Sequence, residues 1–173
     1  MATYAQLKTR AQAQALTDNA TDAALFVNDV YRDVVRRCGL NPQESVETLV
    51  ASDWKYGIAS DFAISGLLGI DVITATTTGA AYSWLLEPTS PEAIIALNTT
   101  STTGRPRQYA IRGTDTFLVY PAPDSGVSIT IYYQAAPTAL SADGDIPTLV
   151  PTEYHHVIQY GAAALLANEE GPE

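Results

Sequence analysis

The chain has 173 residues, a hydrophobic fraction of 46% and a net charge of −10, which suits one compact core burying roughly 70% of the unfolded surface. No apolar run approaches the ~18 residues of a membrane-crossing helix, and the opening Met1 to Arg10 lacks the apolar segment of a secretory signal, so synthesis in a cytoplasm and no membrane are expected. The single cysteine, Cys38, excludes an intrachain disulfide and any multi-cysteine metal site.

Taken in order, Tyr4 to Leu16 is rich in Ala, Gln and Leu and predicts a helix with a weak apolar face. Thr21 to Cys38 predicts a stronger one. Phe26, Val30 and Val34 recur at four-residue spacing, and Val27, Tyr31, Val35 and Cys38 fill the adjacent line, so Cys38 reads as a small core residue. Asn28, Asp29, Arg32, Asp33, Arg36 and Arg37 fall on the other side. There Asp29 to Arg32 and Asp33 to Arg37 have the spacing of helical ion pairs. Asn19 or Thr21 starts the helix and Gly39 stops it.

After Pro42 the pattern becomes short β-prone pieces: Val46 to Ala51, Trp54 to Ala59, Leu67 to Thr77 and Tyr82 to Glu87. Ser90-Pro91 then opens a short helix over 91–97, and Asn98 to Gly104 reads as an exposed loop. Tyr109 to Arg112, Phe117 to Tyr120 and Val127 to Tyr133 predict a three-stranded antiparallel meander, joined by Gly113-Thr114 and by the Pro121 to Gly126 turn. The Asp143-Gly144-Asp145 turn leads to a final helix with Tyr154, Val157, Ile158, Gly161, Leu165 and Leu166 on its apolar stripe. The fold class is therefore α+β: N- and C-terminal helices packed together beside a small antiparallel β-sandwich or barrel. One domain spans 1–173, helical over 1–40, mostly β over 44–136, with the closing helix over 151–170.

Charge is divided along the chain. All nine Lys and Arg residues lie at or before Arg112, whereas the stretch from Gly113 onward holds eight acids and no Lys or Arg. That half cannot grip nucleic acid by neutralising phosphates. Catalytic patterns are missing too. His155 and His156 are adjacent, about 100° apart on a helix, so they cannot chelate one ion; one is expected at the core edge and the other toward solvent or a partner. Asp143-Gly144-Asp145 lacks the further ligands of a calcium loop. Ser60 lacks the glycines of a nucleophile elbow. The residues thus predict no catalytic, cofactor or metal site, and a small hydrolase has no nucleophile, base and oxyanion set to work with. Two arginine clusters remain as interaction candidates: Arg32, Arg36 and Arg37, for which ion pairing along the helix is the simpler reading, and Arg105, Arg107 and Arg112. Ten tyrosines against three phenylalanines also suit surfaces dry on one side and wet on the other.

The stretches VNDVYRDVVRR, SPEAIIALN, GRPRQYAIRG, FLVYPAPDSG, IYYQAAPTALSADGDIP and PTEYHHVIQYGAAALLANEE, in this order, resemble the head-to-tail adaptor proteins of tailed bacteriophages. That resemblance implies a structural virion protein of the neck, between capsid and tail, commonly twelve copies in a ring under the portal protein. The ring extends the channel for double-stranded DNA, which passes without specific binding, and offers its lower face to tail or neck proteins. It implies no catalytic residues. On this reading Arg36, Arg37, Arg105, Arg107, Arg112, His155 and Gln159 are candidate protein-interface residues, with His155 and Gln159 exposed on the closing helix. The alternative is a β-sandwich binding module of a virion appendage, with Trp54 and Trp84 as a sugar platform.

Overall fold

The computed structural model describes residues 1–77, 83–100, 102–124 and 126–169. The elements run α1 (Tyr4–Ala15), α2 (Ala20–Cys38), β1 (Pro42–Thr48), β2 (Lys55–Gly57), β3 (Leu67–Thr77), β4 (Ser83–Leu85), β5 (Glu87–Pro88), α3 (Pro91–Leu97), β6 (Thr103–Gly104), β7 (Gln108–Arg112), β8 (Thr116–Tyr120), β9 (Ala122–Pro123), β10 (Val127–Ala135) and α4 (His155–Glu169), with 3-10 turns at Asn98–Thr100 and Thr152–Tyr154. They form two compact units. Met1–Asn41 and Ala136–Glu173 make one, and Pro42–Ala135 the other. The class is α+β, as the order of patterns implies, and the N- and C-terminal helices pack together.

In the helical unit, α1 is short and nearly polar, so its position depends on what holds its first turn. Thr3 and Gln6 form a reciprocal capping box. The next two amides, which have no partner inside the helix, reach the acidic turn: Tyr4 N–H donates to Asp145 O at 2.7 Å and Ala5 N–H to Asp143 O at 3.2 Å. The turn itself is closed by the Asp145 carboxylate, which accepts from the amides of Ser141 (2.7 Å) and Ala142 (2.8 Å). Those two amide bonds hold its carboxyl below the usual carboxylate range.

Helix α2 is capped by Asn19 and ends at Gly39 with φ of 60°, the left-handed conformation glycine adopts without steric cost. Ala23, Val27, Tyr31 and Val35 are its buried line, while Phe26, Val30 and Val34 are only partly buried. Two expectations fail here. Cys38 is exposed, because it lies beyond Val35, the last buried position. Asn28, assigned to the solvent side, instead locks a distant loop: its Nδ2 donates to Leu140 O at 3.0 Å and its Oδ1 accepts from Leu140 N–H at 2.7 Å.

Helix α4 also turns differently from its predicted stripe. Ile158 and Leu166 are buried, but so are Ala162 and Ala163, while Tyr154, Val157 and Leu165 are exposed. The small residues let α2 and α4 approach closely: a Cβ placed on Gly161 would lie 2.7 Å from Val30 Cγ1.

The β unit is a sandwich. One sheet has the order β1-β10-β3-β4 and the other β2-β8-β7-β5, with β6 and β9 as a short separate pair. Ile73 and Ala75 of β3, Val127, Ile129 and Ile131 of β10, and Phe117 and Val119 of β8 meet in one core. Phe117 packs edge-on to Phe62 at 5.2 Å and stacks with Tyr109 at 5.9 Å. On the other side of β8, Leu118 joins Ala110 and Ile94 of α3, so β8 is covered on both faces. β3 and α3 run as the sequence predicts, β1 starts earlier than expected, and Tyr82 lies outside the described residues.

The three-stranded meander does not form. β7 and β8 pair as predicted, turning at Gly113 with φ of 66°, but β10 pairs with β1 and β3 instead of β8. A strand has two hydrogen-bonding edges, and those of β8 are taken by β2 and β7. The intervening β9 contains Pro123, follows Pro121, and runs parallel to β6. Proline supplies no ladder donor, so this segment serves as the crossing from one sheet to the other. There β10 finds a long register against β3.

Candidate protein-interaction site

The predicted interface residues divide into four environments. Arg36 and Arg37 both engage Asp33, at 3.0 and 2.6 Å, on an exposed helix face. Each such pair contributes a few tenths of a kcal/mol, so their simplest role is local. Asp29 and Arg32, by contrast, form no ion pair among the described residues.

Arg105 and Arg107 come together. Arg105 lies over Trp84, with its guanidinium carbon 3.6 Å from the ring centroid; the indole Nε1–H donates to Pro106 O at 2.7 Å, which fixes the ring from its edge. Arg107 is held through its backbone, its N–H donating to Tyr120 O at 2.9 Å and its carbonyl accepting from Glu87 N–H at 2.8 Å. Between these anchors opens a groove of about 700 Å³ lined by Trp84, Leu85, Glu87, Arg105, Arg107, Gln108, Tyr120 and Pro121. Pro106 is buried between the two arginines, whose side chains are thereby displayed on the same rim. Sequence reading singled out the arginines; the aromatic floor came from Trp84 and Tyr120, residues distant in the chain that only strand pairing brings together.

Arg112 is elsewhere. It ends the strand that Arg107 precedes, about 16 Å away at strand rise, and lines a second hollow with Trp54, Lys55 and Ile95. The three arginines are therefore not one cluster, and the two tryptophans do not share a platform.

His155 corrects the expectation of exposure. It is 4% exposed, its Nδ1 accepts from Ala2 N–H at 3.3 Å and its Nε2 faces Val150 O at 2.9 Å. With Nδ1 accepting, the Nε2–H donates to Val150 O, and the ring ties the start of the chain to the start of α4. His156 is the outward member of the pair, with Nδ1 2.7 Å from Glu153 O and its ring edge-on to Tyr160. Gln159 is half-buried. The outer face of α4 and of the 3-10 turn before it is carried instead by residues that sequence reading placed in the core or left unassigned: Tyr154, Val157 and Tyr160, 54%, 41% and 58% exposed.

Among the described residues no three His, Cys, Asp or Glu side chains converge on a metal position, and no described helix is long and apolar enough to cross a membrane. The shifted tyrosines are structural: burial raises Tyr31, Tyr56 and Tyr109, and Asp53 adds to the rise at Tyr56.

The chain matches the SU10 adaptor protein family over residues 2–172. It belongs to that family of phage head-to-tail adaptors. The match runs through both compact units. No curated protein matches the chain. The family is a structural one, in keeping with sites built from stacked, ion-paired and half-buried side chains.

Proposed function

We propose that copies of this chain close a ring beneath the portal protein in the virion neck, twelve in the number the family resemblance implies. The ring carries the DNA channel onward and presents its far face to tail or neck proteins. The observation that carries this reading is the family match across almost the whole chain. Two features of the molecule support it. The chain displays two distinct amphiphilic surfaces, the Trp84–Arg107 groove and the outer face of α4, as a head-to-tail contact between identical subunits requires. Exposed Asp115, Glu153 and Glu169 come from a stretch without Lys or Arg, so an inner wall built from it repels phosphate and lets duplex DNA slide. Arg107, with Arg105 beside it, is the contact residue of choice among the predicted set; Arg36 and Arg37 have their local partner.

The sugar-platform alternative loses its main support, because Arg105 covers one face of Trp84 and Trp54 lines a different hollow. Cryo-electron microscopy of purified virions tests the proposal. Density for this chain as a ring under the portal is the expected result, whereas its presence in fibres or capsid decoration overturns the reading.

A further inference from the structure

We infer that the Trp84–Arg107 groove receives the outer face of α4 from a second copy of this chain. The inference rests on the ring reading and names the contact that joins one copy to the next. The two surfaces are complementary in both chemistry and charge. The groove offers Leu85, 63% exposed, with Trp84, Tyr120 and Pro121 as its apolar wall and two arginines on its rim. Among the described residues no carboxylate pairs with Arg107.

The helix offers the counterpart. Val157, Tyr160 and Ala164 follow the three- and four-residue spacing of a single face of α4, Tyr154 lies in the 3-10 turn just before it, and all four are exposed. α4 contains no Lys or Arg, and Glu153 precedes it, exposed and without an ion pair among the described residues. Apolar side chains on one copy thus meet an apolar wall on the next, with a carboxylate available for Arg107. Each surface is exposed within a single copy, and the two patches differ, so the contact is heterologous and propagates from copy to copy until the ring closes.

Cross-linking of the full chain tests this. In a Cys38→Ser background, Leu85→Cys and Val157→Cys are made as separate proteins, mixed on purified portal and treated with a short bismaleimide. A linked pair should form in the mixture and from neither protein alone. Arg107→Glu should lower ring yield about tenfold, as reversal of a desolvated charge pair does, and the Arg107→Glu/Glu153→Arg double variant should restore it. Rings that assemble without the cross-link and tolerate Arg107→Glu overturn this inference and leave the ring reading intact. Linkage of Leu85→Cys to portal instead of to a second copy also overturns it. Wild-type protein that forms no ring on portal overturns both.

Discussion

The helical unit and the β unit solve the same problem by different physics. The β unit is continuous in sequence, from Pro42 to Ala135, and its core is large and apolar, centred on Phe117, Ile73, Ile129 and Ile131. The helical unit is assembled from the two ends of the chain, and its interior includes alanines, tyrosines and a histidine. With less apolar volume to bury, it relies on polar clamps of long sequence separation: Asn28 on Leu140, Asp143 and Asp145 on the start of α1, and His155 on Ala2. A small-residue core gains stability through close backbone approach and satisfied hydrogen bonds, where an aromatic core gains it from area.

Four substitutions or conditions separate these mechanisms. The largest effect should come from Phe117→Ala, which removes a fully buried ring from the β core and should cost about 3–5 kcal/mol. Urea unfolding should show the loss, with hydrogen exchange locating it in β3, β8 and β10. Asn28→Ala strands both backbone groups of Leu140 and should cost about 2–3 kcal/mol, with exchange accelerated at Leu140 and unchanged in the β unit. A loss shared equally by both units would contradict the separation drawn here.

Gly161→Ala follows. Helix propensity favours the change by about 1 kcal/mol, but the new methyl overlaps Val30, whose χ1 is stiff in a helix, at a cost of about 1–3 kcal/mol. The net should be a modest destabilisation that Val30→Ala largely relieves; additivity of the two in a double-mutant cycle would refute the close contact. The smallest effect belongs to Asp145. Its folded pKa is depressed, so its contribution is fully present above its ordinary value near 3.8 and is lost as pH falls through the lowered one. Exchange at the amides of Ser141 and Ala142 should rise in that acid range. Asp145→Asn should remove this pH dependence.

Local features were legible in the chain because they are set by near neighbours. Asn19 and Gly39 bound α2, Ser90-Pro91 opens α3, and the apolar alternation from Val127 marks β10, all through caps, fixed φ and period that act within a few residues. At the site, the Arg105-Pro106-Arg107 sequence was visible, but the ring beneath Arg105 was not. Trp84 reaches it through strand pairing more than twenty residues away, and no periodicity encodes that distance.

By itself the sequence determined the α+β order, the ends of α2, the start of α3, the β7–β8 hairpin and the family to which the chain belongs. Only the tertiary structure decided the partners of β10, the inward face of α4 and the environments of His155 and Cys38. Strand pairing is a competition for a limited number of edges, won across the whole unit, and a Pro-containing crossing diverts β10 from its nearest neighbour. The α4 face depends on close approach, and small residues such as Gly161, Ala162 and Ala163 permit that without adding to a hydrophobic pattern. Their contribution is the space they leave, which becomes visible only when Val30 is packed against it.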